Sequence, residues 1–406
     1  MVTPARSADG LIALENTFGA PNYNPLPVVA ASAQGAWITD VNGKHYLDFL
    51  SAYSALNFGH GHPALVAVAH RALDTLTLTS RAMRNDQLGP FLSDLCAATG
   101  MDMALPMNTG AEAVETAIKA ARKWGYEVKG VRPGQARVVV CTNNFHGRTT
   151  TIVSFSSDAA ARTGFEPFTP GFLFVEYGNA DALEAVLAED PDVVAFLVEP
   201  VQGEAGVVVP PAGYLSRVRE LCTQHHVLMI ADEIQSGFGR TGTTFACERD
   251  AVVPDVYCLG KALGGGIVAL SAVVSSQEVL SVLTSGTHGS TFGGNPLACA
   301  IGREVLALLR TGECQERSRV LGEHMLSRLR CEAPPTVREV RGLGLWAGVE
   351  LHPEAGPARA YCERMLERGV IVKDTQSTTL RLAPPLVIDQ FDLNSALDTI
   401  LSVLAE

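Results

Sequence analysis

A chain of 406 residues, 47% of them hydrophobic, can bury one large core and a smaller second one. Its formal charge of -12 argues against nucleic acid or an anionic membrane as partner, since both attract a basic surface. Nine cysteines, scattered without any CxxC, suit reduced packing thiols better than a disulfide framework or a zinc ribbon.

Read from its start, MVTPARSADG has no apolar core followed by a small-residue cleavage site, and no uncharged run is long enough to span a bilayer, so the cytoplasm is the expected location. The first chemical signal along the chain is NTGAEAVETAIK. Thr109 and Glu112 have capping-box spacing around Gly110, and Ala113, Ala117, Ala120, Ala121 and Trp124 line one side of a helix expected over 112–128. The start of such a helix leaves N–H groups free and carries partial positive charge, which suits a phosphate. Apolar runs at 137–141, 193–198, 227–231 and 256–259 read as buried parallel strands, with helices between several of them, one over about 213–225. Strand and helix alternate, which is α/β organisation. After Pro296 the pattern turns to helix, helix, the strand-like VREVRGLGLWAGVEL, helix, and a last helix from Asp389. The expected division is an N-terminal segment over 1–40 packing with the small domain, a large domain over 41–296, and a small domain over 297–406.

The most informative pair is VLMIADEIQSGFGRTG and PDVYCLGKALGGGI, which puts Asp232 at the end of one strand and Lys261 at the end of the next. Parallel strands in a doubly wound sheet meet ligands at their carboxyl ends, so a carboxylate and an amine would open into one cleft. A lone aspartate there reads as a turn cap and a lone lysine as a solvated end. Together with a phosphate site they meet three requirements of pyridoxal phosphate (PLP): a Schiff-base lysine, a carboxylate for the pyridine nitrogen, and an anion cradle.

The motifs NTGAEAVETAIKAARKWGY, NNFHGRTT, EPVQGEAGV, ADEIQSGFGRTG, LGKALGGG and HGSTFGGNP, in this order and over nearly the whole chain, resemble the class III PLP-dependent aminotransferases. NYNPLPVV, LSAYSALNFGHGHP and LRLAPPLVI are most similar to the ornithine δ-aminotransferase branch. The resemblance departs at Phe58, where that branch usually carries glutamine. It implies fold type I of the PLP-dependent transferases: a large domain whose mostly parallel central sheet is flanked by helices, and a smaller α+β domain. Lys261 would be the covalent lysine and general base, Asp232 the partner of the pyridine nitrogen, Gln235 a donor to the phenolic oxygen, and Phe145 the ring stacked on the cofactor. Gly110 and Ala111 would offer N–H groups to the phosphate. Ser290 and Thr291 would complete the phosphate cup of a neighbouring subunit, which implies at least a homodimer.

For substrates, the resemblance implies Tyr23, Tyr53, Arg148, Glu204 and Arg381. Two arginine forks can grip both ends of a dicarboxylate such as 2-oxoglutarate. Ornithine has one carboxylate; Tyr23 and Arg148 would hold its α-amino and carboxylate end, and Glu204 would pair with the idle Arg381. The expected reaction moves the δ-amino group of ornithine to 2-oxoglutarate. Alternatives are another ω-amine aminotransferase acting on N-acetylornithine or 4-aminobutyrate, a racemase or decarboxylase on the same scaffold, or a non-catalytic ligand-binding protein. GLGLWA fits a dinucleotide fingerprint only weakly, because it runs into a strand; LGKALGGG fails as a phosphate loop, with Asp255 at the first glycine position and Ala262 after the lysine. No metal site is expected from His60 with His62, or from Cys222 with His225 and His226, since no second cluster matches them.

Overall fold

The computed structural model describes residues 7–406, so the first six residues of the opening segment read for an export signal lie outside the described residues. A seven-stranded sheet organises the chain, in the order Met103–Met107, Ser271–Ser275, Val256–Leu259, Leu228–Asp232, Val193–Val198, Arg137–Cys141 and Phe172–Val175. The last five run parallel, and Ser271–Ser275 is antiparallel to both of its neighbours. Three of the four expected strands lie at the bounds read from their apolar runs; the fourth sits one residue later, at Leu228–Asp232, and so includes Asp232 itself.

Both faces of this sheet are covered, which explains why its strands read as continuous apolar runs instead of alternating ones. Val138, Val140, Ala195, Leu197 and Ile230 join the core under the alanine face of helix Gly110–Trp124. Their alternates Val139, Phe196, Val198, Met229 and Ala231 join a second core with Leu215, Val218 and Leu221 of helix Tyr214–Gln224. The period of two carries each strand's neighbours to opposite sides. Helix Gly110–Trp124 starts with the expected capping box, Thr109 Oγ1 accepting from Glu112 N and Glu112 from Thr109 N. It begins two residues earlier than expected because the cap sits at Thr109, and it ends in a π-helical turn over Gly125–Lys129.

Two smaller sheets complete the architecture. Ala30–Gln34, Trp37–Asp40 and His45–Asp48 form an antiparallel set joined by Val370–Ile371, so N-terminal chain pairs with chain near the C-terminus. Val337–Gly342, Ala347–Leu351, Thr379–Leu382 and Lys373–Thr375 form the other, covered by helices Glu313–Cys331, Ala358–Glu367 and Gln390–Leu404. The segment VREVRGLGLWAGVEL is a hairpin of two strands rather than one, because Gly342 and Gly344 hold positive φ and turn the chain between them. Helix Pro296–Arg310 shares a core with Leu65, Phe91 and Leu270, on the side of the large sheet. Phe58 lies in that same core at 2% exposure, so the residue that departs from the ornithine branch packs away from solvent.

Candidate active site

Four adjacent parallel strands end at one cleft. Cys141 is followed by the loop bearing Phe145, His146 and Arg148; Val198 by Glu199; and Asp232 closes its own strand, with Lys261 two residues beyond Leu259. This is the carboxyl edge at which open α/β sheets bind ligands. A cavity of about 190 Å³ here is bounded by Gly110, Ala111, Phe145, Asp232, Gln235 and Lys261, together with His146, Gly147, Glu199, Val201, Ile234 and Ser236. The loop fits against the helix start only because position 147 is glycine: at φ +132 an added Cβ would lie 2.9 Å from the Ala111 Cβ.

The groups in this cavity are held tightly. Asp232, 5% exposed, bonds His146 Nδ1 at 2.6 Å through Oδ2 and accepts from Ile234 N through Oδ1. Lys261 adopts positive φ, and its Nζ donates to Gln235 Oε1 at 3.2 Å. Burial lowers the Lys261 amine below the ordinary lysine value, against the opposing charges of Glu204 and Asp232. That favours the uncharged, nucleophilic form. Glu199 accepts from Phe145 N at 3.0 Å and from Gly203 N at 3.3 Å, so one carboxylate ties the Phe145 loop to the loop bearing Glu204. Burial pushes its carboxyl up to about 7, with the Asp232 charge adding to this and His146 opposing.

A second cavity, of about 1290 Å³, gathers all five residues expected for substrate: Tyr23, Tyr53, Arg148, Glu204 and Arg381. Arg381, 1% exposed, donates from Nη1 to Glu204 Oε1 at 2.5 Å, and its guanidinium lies over the Tyr53 ring, 4.6 Å from the centroid. Burial alone would raise the Glu204 carboxyl, but Arg381 beside it holds it below the ordinary carboxylate range. Arg148 lies over the Phe145 ring at 5.6 Å. Tyr23 lines the wall at 78% exposure, and Phe58 does not line it. Tyr53 belongs to a run of four non-glycine residues, Ser51 to Ser54, all at positive φ between 46 and 68. Each left-handed residue of this kind costs about 1–2 kcal/mol.

Ser290 and Thr291 line neither cavity. Ser290 Oγ accepts from Asn108 Nδ2 at 2.9 Å and from Gly293 N at 3.0 Å, and Thr291 is exposed. His146 and Glu199 went unnamed at the level of sequence, although each sits in a quoted motif. The rule that found Asp232, a polar residue ending an apolar run, applies equally to Glu199 after VVAFLV, whereas His146 follows VVVC only after Thr142, Asn143 and Asn144 and carries no such signal. Among the described residues no three His, Cys, Asp or Glu side chains gather as a metal set, and no helix is long and apolar enough to cross a membrane.

Residues 18–404 match the family model described as Aminotransferase class-III. The chain belongs to the class III aminotransferases. It is 53% identical over 395 residues to an ornithine aminotransferase of an Exiguobacterium species, covering 97% of each protein. It is 51% identical over 387 residues to that of Bacillus subtilis, covering 95% of each. A solved ornithine aminotransferase of Toxoplasma gondii, described with partial occupancy of PLP at the active site, superposes with a TM-score of 0.97 at 43% identity, covering 98% of this chain and 94% of that one. An acetylornithine aminotransferase of Elizabethkingia anophelis superposes at 0.89 with 42% identity, covering 98% of each.

As a class III aminotransferase the protein has fold type I, uses PLP, and moves an amino group between an amino acid and a 2-oxo acid. The smaller cavity fits that cofactor on its own chemistry. It contains a neutral-leaning lysine, a buried carboxylate, an aromatic ring, and the first N–H groups of a capped helix. It also contains two buried nitrogens without a partner, Gln235 Nε2 and His146 Nε2. A buried donor left unpaired is costly, so Gln235 Nε2 calls for an acceptor such as a ring oxygen.

Proposed function

We propose that this aminotransferase moves the δ-amino group of ornithine to 2-oxoglutarate, giving glutamate 5-semialdehyde and glutamate. The observation that carries this reading is the Glu204–Arg381 pair standing in one cavity with Arg148 and Tyr23. A dicarboxylate needs two cationic forks, and ornithine needs only one. A carboxylate that covers Arg381 for ornithine and uncovers it for 2-oxoglutarate lets one cavity serve both.

PLP, when bound, supplies a carbon that takes the amine and a ring that accepts the electrons left when a carbon-bound proton departs. Lys261 Nζ, whose hold on a proton burial weakens, would be the base for that proton. Asp232 would provide the carboxylate for the ring nitrogen, its direction fixed by the 2.6 Å contact with His146. Gln235 Nε2 would donate to the ring oxygen, Phe145 would pack on the ring, and the N–H groups of Gly110 and Ala111 would take the phosphate. Arg148 and Tyr23 hold the far end of ornithine. Tyr53 borders the reacting end beside Arg381.

Ser290 and Thr291 complete the phosphate cup of a second copy, so the working unit is a homodimer at least. Their place outside both cavities of their own chain supports this. The large domain over 41–296 and the small domain over 297–406 are joined by helix Pro296–Arg310, the described part of the segment over 1–40 lies with the small domain, and the protein works in the cytoplasm. The acetylornithine aminotransferase likeness favours N-acetylornithine as the competing donor. Purified protein is incubated with 2-oxoglutarate and either ornithine, N-acetylornithine or 4-aminobutyrate, and both products are identified by mass. Faster turnover of N-acetylornithine than of ornithine would replace the proposed donor.

A further inference from the structure

The run Ser51–Ser54 is a single left-handed helical turn, closed by Tyr53 N donating to Leu50 O at 3.0 Å and Leu56 N to Ser51 O at 3.0 Å. Non-glycine residues do not hold such a conformation unless their surroundings fix it. Here the surroundings do so at both ends. Asp48 Oδ1 accepts from Leu50 N and Ser51 N, each at 2.8 Å, while Oδ2 bonds His60 at 2.9 Å. Buried Ser51 donates to Ala383 O at 2.6 Å, and Ala383 N donates back to Phe49 O at 2.7 Å. At the far end, Asn57 O accepts from Leu386 N at 2.8 Å, and the buried Arg240 spans Asn57 Oδ1 and Pro384 O, each at 2.6 Å.

Ala383 lies two residues beyond Arg381. The turn bearing Tyr53 and the strand bearing Arg381 are therefore stitched into one frame, with the Tyr53 ring fixed against the guanidinium. The Glu204 main chain is tied to the same sheet, its O accepting from Thr375 Oγ1 at 2.6 Å on the strand paired with that of Arg381. Its carboxylate reaches Arg381 from outside the turn, and its side chain is 29% exposed against 1% for Arg381. When Glu204 swings away, the face of Tyr53 is what still meets the buried charge.

We propose that Asp48 and Ser51 are positioning residues for dicarboxylate binding: by holding the left-handed turn they fix Tyr53 as the immobile half of the Arg381 cage, so that Glu204 is the only part that moves. The inference rests on the reading of Arg381 as a carboxylate-binding group. Glycine adopts positive φ without penalty, so Ala52→Gly favours the same turn without removing any of its ties.

The holoenzyme is titrated calorimetrically with glutarate, an unreactive dicarboxylate, and melted thermally, as the parent and as Ser51→Ala, Ala52→Gly and the double variant. Ser51→Ala is expected to weaken glutarate at least fivefold, and Ala52→Gly to melt higher than the parent at unchanged affinity. The double variant should return to within about twofold of the parent, a rescue that a general loss of stability would not produce. Glutarate binding by Ser51→Ala within twofold of the parent, or no rescue in the double variant, overturns the proposal. If Ser51→Ala does not fold in either background, a lower melting temperature for Ala52→Gly alone overturns it and a higher one supports it. A parent that does not bind glutarate overturns instead the reading of Arg381 on which the proposal stands.

Discussion

Replacing Glu204 with alanine leaves Arg381 with the Tyr53 face as its only described electrostatic partner, and the consequence can be sized from the structure. The pair is short, at 2.5 Å, and one member is 1% exposed. Losing one side of a buried pair costs about 3–5 kcal/mol, and the lower end applies because Glu204 is 29% exposed toward the cavity. On the proposed reading, an α-carboxylate reaches Arg381 only after that pair opens, so binding glutamate would include the cost of opening it. The variant does not incur that cost. About 2–3 kcal/mol recovered corresponds to a rise of roughly 30-fold to 150-fold in the glutamate half-reaction relative to the ornithine half-reaction. Ornithine should also begin to react at its α-amine. The assay is single-turnover absorbance of the cofactor-loaded variant with each donor, after a thermal melt has shown it folded. Glu204→Gln, which keeps an acceptor and loses the charge, should fall between. A folded Glu204→Ala whose glutamate-to-ornithine ratio is unchanged or lowered would falsify the gate.

Borohydride reduction of the holoenzyme should fix the cofactor to the peptide holding Lys261, and Lys261→Ala should lose that attachment together with turnover; label on another peptide removes the assignment. Tyr23→Phe should cost about 1.5 kcal/mol with ornithine, roughly tenfold in kcat/KM and at the low end for a hydrogen bond to a charged group because Tyr23 is 78% exposed, with a smaller loss for 4-aminobutyrate. Equal losses with both donors would make it a packing residue. Mixing Lys261→Ala chains with Ser290→Ala/Thr291→Ala chains, refolded together, should restore roughly one quarter of parental sites, since half the dimers are mixed and each carries one intact site. No recovery would show that the cup is not shared. The Glu199 carboxyl, at an ordinary 4.5 in the unfolded chain and about 7 when folded, stabilises the fold below pH 4.5 and loses that contribution as pH rises through 7. Between pH 5 and 8 the cofactor-free protein should lose roughly 2–3 kcal/mol more than Glu199→Gln does, read from urea midpoints. Parallel pH profiles would refute the raised carboxyl.

Much of the fold was legible because its strands are buried on both sides. VVAFLV and VYCL are continuous apolar runs whose ends need no tertiary knowledge to place, and the capping box at Thr109 and Glu112 is local chemistry. The register at Leu228–Asp232 moved by one residue because Val227 and Asp232 compete for the strand, and Asp232 is held in it by pairing with Cys258. The hairpin inside VREVRGLGLWAGVEL was hidden because two strands and a glycine turn share one apolar texture.

The site divides along a different line. Asp232 and Lys261 could be derived from position alone, since the carboxyl edge of a parallel sheet gathers whatever polar residue ends each strand. The five residues expected for substrate could not: Tyr23, Tyr53, Arg148, Glu204 and Arg381 span the chain from residue 23 to 381, and only the resemblance joined them before the fold placed them around one cavity. Least legible of all was the backbone beneath Tyr53. Ser-Ala-Tyr-Ser contains no glycine or asparagine to announce positive φ, because the conformation is not chosen by those residues. It is imposed by Asp48 before the turn and by Ala383 more than three hundred residues after it. Propensity is read within a window of neighbours, whereas a strained turn is specified by the contacts that oppose its strain. Where a local sequence contradicts its own backbone beside a buried charge pair, the distant ties that hold it are therefore the first residues to test for a role in substrate binding.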